Sequence, residues 1–292
     1  MKAIIPSADL AFMNKLLTPL SLLKWEKIMD IRNTNSFSGI ANSINTSINQ
    51  ISSGQKVNTA SDSPSSIQLI EQLNSQIKGN SSAYSNVING VSAVQTAQGG
   101  LNQVTDSLQQ LRELGIQAGN GTLNNSDRQA IQKSANELLS GIKDSLVNSK
   151  FNGNSLLASS ESANLQIGSS ADSQQALPSF DLLSEFNNIN LFELSFNSGD
   201  ISETLNNIDQ ALNITGSAQG TFGSVQNSLE RTADGLTSAN VNQAQSRSNI
   251  KDTDYAAAIT ELAKQQLSEE VGISLLAQAN ANRGQVLQLL KT

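Results

Sequence analysis

The side chains able to do chemistry in this chain are carboxylates, lysines, tyrosines and serines, because the sequence contains neither histidine nor cysteine. Without cysteine there are no disulfides or thiolate metal sites. Without histidine the chain lacks the commonest general base and the commonest ligand for zinc, copper or iron. We therefore expect no enzymatic activity, no catalytic residues, no bound metal and no cofactor.

Two acidic patterns resemble chemical sites, and each has a simpler interpretation. Asp252 and Asp254 in "KDTDY" lack the glycine and distal glutamate of a calcium loop, so we interpret them as residues at a helix N-terminus. Glu269 and Glu270 are adjacent on a predicted helix and do not face one another across a substrate. Neither pattern predicts a catalytic or metal-binding site.

Charge and composition exclude further classes of protein. The net charge of −7 disfavours binding to a phosphate backbone, so nucleic acid is not an expected partner. Aromatic residues make up 4% of the 292 residues, which is little for a large globular interior but enough for long helices packed side by side. The apolar stretch "LLTPLSLLKW" at 16–25 is too short to span a bilayer, so no membrane insertion is expected.

A long apolar stripe predicts a helix that belongs to a bundle. From Leu73 to Leu108 apolar residues recur at alternating steps of four and three, and Asn80, Gln98 and Thr105 occupy the remaining positions of the stripe. A 3.5-residue period held over about five heptads is typical of a coiled coil or long helical bundle.

This helix is expected to end in "AGNGTLNNS" (118–126), because glycine and asparagine favour turns. Ser126 followed by Gln129 fits a capping box, which predicts a second helix from Asp127 to about Asn148. Two antiparallel helices joined by a short loop follow from this pattern.

Shorter elements are predicted after the second helix. Asn152-Gly153 suits a tight hairpin turn, and "ANLQIG" (163–168) alternates like a half-buried strand. Residues 181–199 show no clear helical period and are interpreted as a short variable spacer. The predicted fold is mainly α: a long antiparallel bundle or coiled coil of the N- and C-terminal parts, with a small β-hairpin element near 150–170.

Both ends of the chain carry apolar stripes that have no partner within their own segment. We expect these stripes to pair with each other or with another molecule, through Ile40, Ile44, Ile48 and Ile51 near the start and Ile259, Leu262, Val271, Leu275 and Leu289 near the end. A third stripe, with Arg112 and Glu113 beside Leu111 and Leu114, is either helix core with surface charges or an intermolecular contact strip.

The first residues differ in composition from the rest. Residues 1–28 hold the only tryptophan and two of the four prolines, and the chain becomes rich in asparagine and serine from Met29 onward. The simplest interpretation is an N-terminal extension that is not native or is disordered, with Met29 as the native start. The alternative is a targeting or membrane-surface helix.

Several motifs in one order resemble those of bacterial flagellins, the subunits of the flagellar filament. They are "INQISSGQKVNTASDSPSS" (48–66), "GVSAVQTAQGGLNQVTDSLQQLRELGIQAGNGT" (90–122), "KFNGNSLL" (150–157) and "SRSNIKDTDYAAAITELAKQQLSEEVGISLLAQANANRGQVLQLL" (246–290). The resemblance implies a structural subunit, exported unfolded through the flagellar type III apparatus without a cleaved signal. It further implies an extracellular helical homopolymer whose other partners are the flagellar cap, hook-associated proteins and an export chaperone.

The resemblance also implies a layout of domains. Residues 29–66 and 251–292 would form an inner terminal-helix domain with a connector, and residues 67–180 and 200–250 a helical rod domain. The spacer at 181–199 stands where longer flagellins carry variable outer domains. In the connector, Gly54 would end the inner helix, and the residues expected at the connector and in subunit contacts are Gly54, Gln55, Lys56, Asn58 and Asp62.

The strip around Arg112, Glu113 and Leu114 resembles the surface recognised by the flagellin-sensing Toll-like receptor. This chain has Gln110 where recognised flagellins have arginine, and Ser134 where they have an acid. Both differences remove charge-assisted contacts, so we expect only weak receptor binding.

Two other functions fit parts of the sequence. A hook-filament junction protein shares the helical ends and the Ser-Gly segment, although residues 274–290 resemble flagellin more closely. A secreted helical adhesin or membrane-active effector is a different class, suggested only by the apolar patch at 16–23.

Overall fold

The computed structural model describes residues 38–197 and 201–289, which are mainly helical, so the predicted extension at 1–28 lies outside the described residues. None of the described helices combines the length and the apolar character needed to cross a membrane. The prediction of a mainly helical fold with long helices packed together is confirmed. The helices are α1 (residues 38–53), α2 (Pro64–Ala118), α3 (Asn125–Asn148), α4 (Leu182–Asn188), α5 (Ser202–Lys251) and α6 (Tyr255–Leu289).

Two small antiparallel hairpins follow α3, which confirms the predicted β element. They are formed by β1 (Lys150–Phe151) with β2 (Asn154–Ser155), and by β3 (Ala163–Gln166) with β4 (Gln174–Leu177). The first hairpin turns at Asn152 and Gly153, whose φ angles are +50° and +85°. Positive φ at both central residues is the geometry of a two-residue type I′ turn, which Asn-Gly adopts readily.

The start of α3 differs from the prediction by two residues. The N-cap is Asn124, whose side chain accepts a hydrogen bond from the Asp127 backbone N–H at 2.9 Å, while the Asp127 carboxylate accepts from the Asn124 N–H at 3.3 Å. The predicted capping box at Ser126 and Gln129 was therefore wrong. Asparagine caps a helix as well as serine does, and here its side chain reaches the third helical N–H.

A buried arginine closes the end of α2. Arg128 is 8% exposed, and its guanidinium donates to the backbone carbonyl of Ala118 at 2.6 Å and to that of Asn120 at 3.1 Å. The last carbonyls of a helix have no intrahelical donors, and a cation is favourable beside them. The Arg128 side chain of α3 thus provides hydrogen bonds to a carbonyl at the end of α2 and to one in the loop between the two helices.

The chain divides into two compact units. The terminal unit contains the described residues up to Ile70 and those from Arg247 onward, and the central unit is Glu71–Ser246. Leu108, Ile142 and Phe222 contribute fully buried side chains from α2, α3 and α5 to one contiguous apolar core in the central unit. The functional division into inner and rod domains stays a prediction.

Polar contacts fix the register between α2 and α5 in the central unit. The Asn80 amide donates to the Gln243 side chain at 3.1 Å, and the Gln219 amide lies 3.3 Å from the Thr105 hydroxyl. Further along, Arg112 donates to Asp209 at 2.8 Å. Residue numbers rise along α2 as they fall along α5, so the helices are antiparallel. Polar pairs in an otherwise apolar seam disfavour shifted registers.

The segment predicted as a spacer is part of the central core. Leu182 and Phe186 of α4 are fully buried, as are Leu191 and Phe196 after it. The Gln132 side chain of α3 accepts a hydrogen bond from the Phe196 N–H at 2.7 Å. The sequence pattern missed α4 because a seven-residue helix is too short to establish a period.

Candidate assembly surface

Helix α1 presents one apolar stripe that ends at a glycine. Ile40, Ile44 and Ile51 are half-buried, and Ser47 is 7% exposed. These positions alternate in steps of four and three, which places them on one side of the helix. Gly54 follows the helix with φ +69°, a conformation that favours glycine and ends the helical path.

Helix α6 meets this stripe along a side that is mostly polar or small. The Ser47 hydroxyl donates to the Gln265 side chain at 3.0 Å, and Ile40 and Ser43 share a shallow groove with Lys264. The half-buried positions of α6 recur at helical spacing around Gln265: Ala258, Leu262, Gln265, Glu269, Gly272 and Leu276. This is the side of α6 that faces α1.

The structure separates the predicted packing residues into two groups. Ile40, Ile44, Ile51 and Leu262 lie on the mutually facing sides of α1 and α6. The others lie off those sides and are exposed to solvent: Ile48 at 46%, Ile259 at 54%, Val271 at 49% and Leu275 at 65%. The side chain of Leu289 lies outside the described residues.

The exposed apolar residues of α6 lie on more than one side of the helix. Ile259 and Ile273 lie on one side, whereas Val271 and Leu275 lie on another, since a residue advances about 100° around a helix. A helix with apolar residues on several sides is typical of a buried position. Among the described residues of the terminal unit, the buried apolar side chains are only Val57 and Ile70. One partner helix therefore leaves most of the apolar surface of α6 uncovered.

A short backbone ladder joins the connector, residues 54–63, to the junction between α5 and α6. Gly54 accepts at its carbonyl from the Thr253 N–H at 3.0 Å, and Lys56 donates its N–H to the Lys251 carbonyl at 2.6 Å. Gln55 forms an antiparallel bridge with Asp252 between these bonds. Backbone bonds of this kind join two segments that are far apart in the sequence.

The connector also has an internal scaffold built on Asp62. Its carboxylate accepts from the backbone N–H groups of Thr59 at 2.8 Å and Asn58 at 2.9 Å. These hydrogen bonds lower the pKa of Asp62, with the bond from Thr59 having the largest effect. The Asn58 amide donates to the Ser53 hydroxyl and to the Gln55 carbonyl. Asp62 and Asn58 thus order the connector itself, and their contact with other subunits stays a prediction.

Asp252 and Asp254, which resemble part of a cation site in the sequence, form hydrogen bonds at the end of α5 and the start of α6. The Asp254 carboxylate accepts from the N–H groups of Ala256 at 2.9 Å and Ala257 at 3.2 Å, which is N-capping of α6, as predicted. Asp252 accepts from the Ser248 hydroxyl at 2.6 Å. In the part of the chain that the structure describes, no group of three metal-ligating residues occurs.

The predicted contact strip at 111–114 is not one surface. Leu111 is fully buried in the central core, which fits the helix-core alternative for this residue. Arg112 pairs with Asp209 of α5, and the hydrogen bond to that carboxylate, followed by its negative charge, raises the pKa of the guanidinium. Glu113 and Leu114 instead line a shallow groove between α2 and α3. The four neighbours on the helix diverge because successive residues point about 100° apart.

Comparison with known proteins identifies the family. The family model described as the bacterial flagellin N-terminal helical region matches residues 26–162, and the model of the bacterial flagellin C-terminal helical region matches residues 205–290. The "Flagellar filament 30.7 kDa core protein" of Treponema maltophilum is 31% identical over 259 residues, covering 83% of this chain and 90% of that protein. This chain belongs to the bacterial flagellin family.

Other flagellins show similar coverage. The flagellin of Bacillus subtilis (strain 168) is 30% identical over 276 residues, and the match covers 83% of this chain and 91% of that protein. A solved structure described as "Structure of putative flagellar hook-associated protein from Vibrio parahaemolyticus" covers 65% of this chain and 100% of its own, with a TM-score of 0.56 and 14% identity. At that identity the likeness concerns the fold alone.

Sequence reasoning missed two residues of the flagellin helix pair. Ser47, rather than Ile48, occupies the position of the α1 stripe that faces α6, and its partner is Gln265. The steps of four and three from Ile40 through Ile44 to Ile51 place Ser47 on the stripe. Ser47 was not predicted because it is polar, whereas the predicted stripe consisted of apolar residues.

Asp62→Asn is expected to loosen the connector of this flagellin, because an amide oxygen accepts more weakly than a carboxylate. The amide hydrogens of Asn58 and Thr59 should lose protection in hydrogen exchange followed by NMR. Since the pKa of Asp62 is lowered by folding, its contribution is complete above the ordinary carboxyl pKa and is lost as pH falls through the lowered value.

The control is Asp106→Asn on the exposed face of α2, which should leave protection of the connector unchanged. Equal protection at Asn58 and Thr59 in the wild type and in Asp62→Asn would contradict the scaffold assigned to Asp62.

Proposed function

We propose that this chain is a structural subunit that polymerises into the bacterial flagellar filament and serves motility. Family membership supports the proposal, as does the similarity to a Treponema maltophilum protein named as a filament core protein. The observation that carries it is the apolar surface of α6, which extends beyond the side that pairs with α1.

Burial of that surface supplies the driving force for assembly. Removal of a leucine side chain from water contributes about 1.5–3 kcal/mol when burial is complete. Ile259, Val271 and Leu275 are each about half exposed or more in the single chain. Contact with α1 and α6 of neighbouring subunits would bury them. A surface that binds a different surface of the next copy extends into an open filament when the rotation does not close.

Finer parts of the proposal concern export and partners. The subunit is exported unfolded, without a cleaved signal, and assembles outside the cell. Its partners besides other copies of itself are the flagellar cap, hook-associated proteins and an export chaperone. The incompletely covered apolar surface of the terminal unit supports export before assembly. If the terminal helices become ordered only when the subunit joins the filament, their apolar surface is not left exposed to water. A purely structural role, without catalysis, accompanies this function.

The hook-filament junction alternative shares this architecture and is less well supported. Its structural support is a fold likeness at 14% identity, whereas the relatives at 30–31% identity are named as flagellins or filament core proteins. The adhesin or effector alternative depends on residues 16–23, which lie outside the described residues.

Polymerisation of purified protein tests the proposed function. The full chain and the chain starting at Met29 should form filaments above a critical concentration, observed by electron microscopy and sedimentation. A truncation that lacks residues 255–292 should remain monomeric, because it has lost the apolar surface of α6. Filaments formed by the truncated chain would refute assembly through the terminal helices.

A point substitution separates assembly from folding. Leu275→Gln should raise the critical concentration about tenfold or more, since about 1.4 kcal/mol lost per contact corresponds to tenfold. Circular dichroism of the monomer should be unchanged because Leu275 is 65% exposed. Val241→Gln is the matched control, since Val241 is 64% exposed on α5 of the central unit. A wild-type critical concentration for Leu275→Gln would contradict the role assigned to this surface.

We also expect weak stimulation of the flagellin-sensing Toll-like receptor. Gln110 and Ser134 line the same groove between α2 and α3 as Glu113 and Leu114. Neutral side chains at these two positions offer no charge-assisted hydrogen bond. In a receptor reporter cell line, Gln110→Arg should increase the response to purified protein. Strong stimulation by the unchanged chain would contradict this expectation.

A further inference from the structure

The sequence contains three Asn-Gly dipeptides, which the fold places in different surroundings. They are Asn89-Gly90 within α2, Asn120-Gly121 in the loop after α2, and Asn152-Gly153 in the turn of the first hairpin. Glycine has no side chain to shield its backbone nitrogen. When glycine follows asparagine, that nitrogen attacks the asparagine side-chain amide more readily than in any other Asn-X dipeptide. Because the local sequence is the same, differences in reactivity depend on the structure.

We propose that Asn152 is a site of spontaneous deamidation in the folded chain. The Gly153 backbone nitrogen loses its proton to solvent and attacks Cγ of Asn152, forming a C–N bond and a five-membered succinimide, while the amide nitrogen leaves as ammonia. Water then adds to either carbonyl of the ring. Cleavage of the new N–Cγ bond yields aspartate, and cleavage of the original peptide bond yields isoaspartate.

The hairpin turn leaves both reacting groups accessible. Asn152 and Gly153 are exposed, and apart from Gly153 and its two chain neighbours no residue has an atom within 4 Å of the position that a Cβ on Gly153 would occupy. In a two-residue turn the hydrogen bonds that close the loop come from the flanking residues, here Phe151 and Asn154, so the Gly153 N–H stays free. The strands contain only two residue pairs, so local opening costs little.

The other two dipeptides are restrained. Gly90 lies inside α2, where its N–H belongs to the helical ladder and a Cβ would lie 3.1 Å from Leu165 and 3.2 Å from Leu229. The Asn120 side chain accepts from the Thr122 N–H at 3.1 Å and from the Thr122 hydroxyl at 2.9 Å. Rotation of the Asn120 Cγ toward the next backbone nitrogen breaks both bonds.

The product changes the turn that produced it. Either product replaces a neutral amide with a carboxylate, which makes the chain more negative by one charge. Isoaspartate also inserts one extra carbon into the backbone, which a two-residue type I′ turn cannot hold with Phe151 opposite Asn154. The first hairpin should therefore lose its pairing in the isoaspartate form.

The test follows all three sites in the full-length monomer, so its outcome does not depend on the proposed filament function. The protein is incubated at mildly alkaline pH, digested, and the peptides are quantified by mass spectrometry with fragmentation that distinguishes isoaspartate. In the folded chain Asn152 should be modified first, at least about tenfold faster than Asn89, because helix opening is rare. In denaturant the three rates should converge.

Asn152→Gly is the matched control, since glycine tolerates the positive φ and carries no side-chain amide. Its far-ultraviolet spectrum should match the wild type, and products should remain only at Asn89 and Asn120 at their wild-type rates. Faster modification at Asn120 or Asn89 than at Asn152 in the folded chain, or equal rates at all three sites, would overturn the proposal.

Discussion

The backbone hydrogen bonds between residues 54–57 and 251–253 hold two distant parts of the chain together, and the pairing of α1 with α6 depends on them. Gly54 turns the chain out of α1, and Lys56 and Gly54 bond to residues on either side of Asp252. Asp254 then caps the first turn of α6. Because these bonds fix where both helices begin or end, they also fix which side chains lie opposite one another.

The two units differ in how completely they bury apolar surface. The central unit surrounds residues such as Leu108, Ile142 and Phe222 with helices from three parts of the chain and with the segment after β4. The terminal unit has one helix pair, and the facing side of α6 is largely polar or small. Marginal stability leaves little room for uncovered apolar surface. This imbalance supports the proposal that other copies of the chain cover the terminal helices.

Polar side chains set registers in both units. Asn80 with Gln243, Thr105 with Gln219, and Arg112 with Asp209 align α2 against α5. Ser47 with Gln265 does the same for α1 and α6. Seams rich in alanine, serine and valine have many nearly equivalent registers, since small side chains interlock weakly. Hydrogen bonds that must be satisfied in one register select among these alternatives.

The sequence by itself determined the long helices, the hairpin turn at Asn152-Gly153, the capping role of Asp254 and the family, because helical period, turn conformation and capping depend on neighbouring residues. The tertiary structure decided which sides of those helices face one another. Ser47, rather than Ile48, lies on the side of α1 that faces α6. Leu111 lies in the central core, as do Phe186 and Phe196 of the segment predicted as a spacer. A periodic pattern identifies an apolar side but not the partner that covers it, and a seven-residue helix such as α4 is too short to have a period. Only contacts between distant segments settle those choices.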